Sequence, residues 1–129
     1  MKDLLISIFL IAHGWAHVWY VALSQRLVEY KPEMGWTGES WILSSILNKQ
    51  ITQLVSTFGY SVSLIGFIIG GVSLYLGKDW WSSLVLASSI ISLLTVILYW
   101  DGELSMIVEK GLIGLLINIA LIVLITRLT

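Results

Sequence analysis

The sequence predicts an all-α fold, a four-helix transmembrane bundle with a short interfacial helix after the first span, and three observations carry that expectation. Four stretches, 4–25, 50–77, 80–100 and 111–126, contain no Asp, Glu, Lys or Arg. Hydrophobic residues make up 57% of the 129-residue chain and charged ones only 12%, about half the ~25% share usual in soluble domains. Tryptophan, which favours the headgroup layer, gathers near the stretch ends, with Trp80, Trp81 and Trp100 bracketing the third. A helix rises ~1.5 Å per residue and the hydrocarbon core is ~30 Å thick, so about 20 apolar residues cross it and the first three stretches are long enough. The chain reads as a single transmembrane domain, 1–129, with both termini on one side.

The first span, 4–25, follows Lys2, and Ala22-Leu23-Ser24 resembles a small-residue cleavage site. The run is longer than a signal core and holds two histidines, so it reads as a retained helix. Loop and interfacial helix occupy 26–49. Pro32, the single proline, stands between Lys31 and Glu33, and Thr37-Gly38-Glu39-Ser40 offers capping residues ahead of Trp41–Leu47. With Trp36 and Trp41 at its start, an amphipathic helix near 40–48 is predicted to lie in the interface.

The second span, 50–77, carries the strongest internal pattern: Gly59, Ser63, Gly66, Gly70, Ser73 and Gly77 recur at intervals of three and four. At ~100° per residue they share one face. Helices in lipid lack a hydrophobic drive toward each other and associate through close van der Waals approach, which a groove of small residues allows. The third span, 80–100, offers Ser88, Ser92, Thr95 and Tyr99 at the same spacing. Gly77-Lys78-Asp79 is too tight a turn for anything except antiparallel neighbours, so spans two and three form a hairpin across that face. The fourth stretch is short by itself. Leu104, Met106, Ile107 and Val108 extend it to a span of 104–126 if Glu109 and Lys110 point to a polar surface.

Orientation rests on little, because Lys2, Lys78 and Arg127 face Arg26, Lys31, Lys49 and Lys110 across the membrane. The termini are assigned to the cytoplasm. A net charge of -1 from seven basic and eight acidic residues excludes a nucleic-acid surface. Without cysteine, thiolate catalysis, iron–sulfur clusters and Cys-ligated zinc drop out.

Chemistry is left to His13-Gly14-Trp15-Ala16-His17 in the first span. His13 and His17, at i and i+4, share a face that Tyr20 and Ser24 continue. Polar groups at that depth are costly against lipid, so the stripe is expected to point into the bundle. Depth counting matches it with Tyr60, Ser61, Ser92 and Asn118, a polar intramembrane layer. Gly111, Gly114 and Asn118 lie on one face of the last span, which lets that helix come close. Three readings of the layer stand open: hydrogen bonds that fix helix register; a metal or haem held by the two imidazoles; or a pocket for proton transfer, quinone or a lipid headgroup. Two ligands do not make a metal site, and Asp101 and Glu103 lie roughly 12 Å from His17 at ~1.5 Å per residue. Solvated carboxylates at a span end mark a boundary more often than an active site.

With His13-Gly14-Trp15-Ala16-His17 in the first span, Trp80-Trp81 opening the third, Ser92-Leu93-Leu94 within it and Gly114-x-x-x-Asn118 in the last, the chain resembles small four-span membrane proteins of bacteria and archaea whose first helix reads HGxxH. These are distantly similar to the DoxX-type proteins, some of which accompany quinol oxidases. The resemblance implies a prokaryotic cell membrane and gives His13, His17 and Asn118 weight without assigning them a role. The expected function is a small non-catalytic subunit or accessory protein packing within a larger membrane complex, respiratory complexes among them. Its partners are the lipid bilayer and other membrane subunits or further copies of the chain. No cofactor is called for. The alternative is a redox or proton-handling module in which His13 and His17 contact haem, metal or quinone, and a third is a small oligomeric transporter or channel.

Overall fold

A computed structural model describes residues 1–29 and 39–128. Among these the chain is all-helical and has no strand: α1 (Lys2–Ser24), α2 (Lys49–Tyr75), α3 (Trp81–Leu98) and α4 (Leu112–Leu128), with one 3-10 turn, Leu43–Ser45. The first three are long and apolar enough to cross a membrane, while α4, with 17 residues, is shorter. Consecutive helices pack antiparallel, α1 on α2, α2 on α3 and α3 on α4. The expectations placed on Lys31, Pro32, Glu33, Trp36, Thr37 and Gly38 lie outside the described residues.

Helix ends follow local chemistry. Asn48 caps α2, its Oδ1 accepting from the Ile51 amide at 2.9 Å. At the other end Lys78 N–H reaches Ser73 O (2.9 Å) and Gly77 N–H reaches Leu74 O (3.0 Å), a closure that requires the left-handed conformation Gly77 adopts at φ 65°. α1 closes the same way with Arg26 at φ 53°, its amide and that of Leu27 bonding Leu23 O and Ala22 O.

Small residues set the helix spacing. A Cβ on Gly66 would stand 1.9 Å from Ser88 Oγ, one on Gly59 2.4 Å from Thr95 Oγ1, and one on Gly70 2.6 Å from Val85 Cγ2. Ser63 and Ser73 are buried on this helix, and Ser63 Oγ donates to Gly59 O at 2.8 Å. Gly77 leaves the expected face: nothing lies within 4 Å of a Cβ there, and its role is the helix stop. A second close approach lies on the adjacent flank of α2, where a Cβ on Gly14 would stand 2.8 Å from Phe67 Cβ and one on Gly71 2.9 Å from Ser7 O, so the two glycines let α1 come down onto α2. Leu10, Phe67, Val85 and Ile125, one from each helix, close the core near the termini; Leu23 and Tyr99 close it at the other end, where Tyr99 Oη donates to Thr52 O.

Two expected elements are absent in the form the sequence suggested. The interfacial helix near 40–48 is only the turn Leu43–Ser45. Ser40 Oγ accepts from the Leu43 amide and donates to Leu98 O (2.5 Å), and the Trp41 indole donates to Ile97 O (2.9 Å). These bonds tie the segment to the last-turn carbonyls of α3 in place of a free helix. The fourth span does not start at Leu104, because 105–111 form turns with Met106 at φ 54° and Gly111 at φ 108°. Lys110 folds this segment back, pairing with Asp101 at 2.8 Å and donating to Glu103 O at 3.3 Å.

Candidate functional site: an intramembrane histidine network

α1 brings His13 and His17 to one face, α3 contributes Ser92 and α4 contributes Asn118, all buried. Partners fix the direction of each bond. His17 Nδ1 lies 2.9 Å from the His13 carbonyl, which only accepts, so the proton sits on Nδ1 and Nε2 is a lone pair. That lone pair takes the Ser92 hydroxyl proton at 2.7 Å. Ser92 Oγ accepts from Asn118 Nδ2 at 2.8 Å, and Asn118 Oδ1 in turn accepts from His13 Nε2–H at 2.9 Å. The chain of bonds crosses three helices, and donor and acceptor match at every link.

Aromatic rings wall the network. His13 meets Phe67 edge-on at 4.7 Å, and the two imidazoles stand nearly perpendicular at 5.3 Å. Gly14, within the same five-residue string, lets Phe67 come this close. Tyr60 and Ser61 do not join by hydrogen bonds. Tyr60 is buried, stacked on Tyr20 at 4.8 Å, with its ring 6.2 Å from His17; Ser61 is half-buried, one residue round the helix from the face that meets α1. Phe67, on that face, is not legible in the sequence, since a lone Phe in an apolar span carries no signal.

Beside the network, α1, α3 and α4 leave a cleft of about 230 Å³ lined by His13, His17, Tyr20, Ser92, Gly111 and Gly114 among others. A larger apolar cavity of about 470 Å³ lies between α3 and the 104–112 segment, under Trp41 and Trp100, with Val96 shared between the two. The chain matches no protein-family model, no curated protein and no solved structure.

A metal or haem fits the pair poorly. His17 spends both nitrogens on protein partners, so a metal shared by the pair breaks a bond to His13 O or to Ser92 and leaves that group unsatisfied in an apolar interior, while His13 offers only Nδ1. Among the described residues no group of three or more His, Cys, Asp or Glu could hold a metal ion. Asp101 and Glu103 sit apart from the histidines in the α3–α4 connection, where Lys110 pairs with the Asp101 carboxylate and bonds the Glu103 backbone carbonyl.

Proposed function

We propose that this is a small integral membrane subunit or accessory protein without turnover of its own, acting by packing against other membrane proteins. The observation carrying this reading is the network itself: His13, His17, Ser92 and Asn118 bond one another and specify how three helices sit, and its one hydroxyl–imidazole contact, Ser92 to His17, is buried and tied by Asn118. The outer surface supports it. Trp15, Phe58, Leu54 and Leu124 are 66%, 71%, 55% and 58% exposed, a belt that suits lipid or a neighbouring helix and would be insoluble in water. The redox and proton-handling alternative has less support, because Asn118 interrupts the line between the histidines and an amide does not relay protons near neutral pH.

Purification from native membranes in mild detergent, followed by native mass spectrometry, tests the reading. A fixed stoichiometry with a second membrane polypeptide, or with further copies of the chain, is expected. A monomer carrying lipid alone overturns it.

A further inference from the structure

Two polar atoms at the network's edge lack a partner among the described residues, and both residues line one cleft. With its proton on Nε2, His13 keeps a lone pair on Nδ1, which no described residue engages. Tyr20 Oη has no hydrogen bond among the described residues either, although it stands 3.1 Å from where a Cβ on Gly111 would be. Neither atom is sealed in protein, since Ser7 Oγ is the one side-chain polar atom that is fully buried and without a partner among the described residues. Both residues line the cleft between α1, α3 and α4, and His13 is 92% buried by its 8% exposure. The position therefore offers an acceptor and a hydroxyl to something in the cleft.

We propose that this cleft holds the headgroup of a neutral, hydroxyl-bearing membrane lipid, whose O–H donates to His13 Nδ1 and whose second oxygen accepts from Tyr20 Oη. Three features select the ligand. No Lys or Arg lines the cleft, so a phosphate or carboxylate would enter an apolar site without a counter-charge. The free nitrogen accepts and cannot donate, so a carbonyl or ether alone gains nothing from it. The volume, about 230 Å³, falls below the ~300 Å³ at which drug-sized ligand pockets begin, room for a headgroup and not for a whole lipid. Entry is lateral: α4 reaches α1 through the His13–Asn118 bond, Tyr20 Oη faces Gly111 just before α4, and two of the lining residues, Ala16 and Ile113, are exposed on the outer surface. Gly114 forms part of the wall, and a Cβ there meets nothing within 4 Å.

The test uses the full chain in phosphatidylcholine nanodiscs, titrated separately with dioleoylglycerol, its methyl ether and dioleoyl phosphatidic acid. Imidazole ¹⁵N resonances report contact, and native mass spectrometry counts bound lipid. Dioleoylglycerol is expected to move the His13 Nδ1 resonance and leave His17 in place, while the ether and the phosphatidic acid do neither. Tyr20→Phe should weaken binding ~3-fold to ~17-fold, the range of one intramembrane hydrogen bond. Gly114→Leu should abolish it with the His13 Nε2 signal unchanged, since the new side chain fills the cleft and not the network. No response to dioleoylglycerol, an equal response to the ether or the phosphatidic acid, or full binding in a folded Gly114→Leu chain overturns the proposal. If Gly114→Leu fails to fold, the three lipids on the unaltered chain decide it alone.

Discussion

Ser92 is the junction of the network, accepting from Asn118 and donating to His17, so its removal orphans two groups at once. Ser92→Ala is expected to cost ~1–2 kcal/mol, from intramembrane hydrogen bonds that average ~0.6 and reach ~1.7. Ser89→Ala should cost less than ~0.5 kcal/mol, because that hydroxyl only returns to Val85 O on its own helix. Reversible unfolding of both variants in bicelles measures the difference, and equal losses would mean the network contributes no more than a local bond. At this scale the sequence is informative where a residue contradicts its surroundings. His13, His17, Ser92 and Asn118 stand out because polarity in an apolar span needs a partner, and the structure joins those four by hydrogen bonds. Depth alone matches Tyr60 to the layer but ignores azimuth, and the residue packs by its ring face instead.

Between elements, the glycine contacts decide spacing. Gly66→Leu must displace Ser88 and the α3 backbone behind it, so it is expected to destabilise by ~1–3 kcal/mol, the usual cost of overpacking. Thermal unfolding in detergent reads this directly, and an unchanged midpoint would show that α2 and α3 separate freely. Gly111 is constrained twice, by φ 108° and by Tyr20 and Val96 at 3.1 and 3.3 Å from a Cβ, and Gly111→Ala should cost ~1–3 kcal/mol and raise amide exchange at the start of α4. The α3–α4 connection also depends on pH. Partial desolvation pushes the Asp101 carboxyl up, but the Lys110 ammonium and the Glu103 amide outweigh it and hold the group below its ordinary value. A depressed carboxyl contributes in full above the unfolded pKa of ~3.9 and loses that contribution as pH falls through its lower folded value. Hydrogen exchange across 101–111 should therefore quicken below about pH 4 in the natural chain and already be fast at neutral pH in Asp101→Asn. The hairpin is legible in the spacing of Gly59, Gly66 and Gly70; the start of α4 is not. Leu104, Met106, Ile107 and Val108 look like a span by hydropathy, and only the long-range clip between Lys110 and Asp101 converts them into turns.

For the whole molecule, fold class follows from composition alone, because uncharged stretches of this length have few other structures open to them. The helices are nevertheless unequal. α2 has 27 residues and α4 has 17, about 40 Å against about 25 Å at ~1.5 Å per residue. A bilayer meeting this protein cannot match both at once: it must thin beside α4 while α2 tilts to stay submerged, at fractions of a kcal/mol per Å of mismatch. The chain is thus a wedge that deforms lipid on one flank only. In a series of phosphatidylcholines its unfolding midpoint should peak at short to intermediate acyl chains and fall as they lengthen, and a flat response would mean that the 104–111 turns fill the missing depth. Two copies sharing their thinned flanks would halve the deformed perimeter, so lengthening the acyl chains alone should draw copies together along α4, with no change in any protein contact within the monomer.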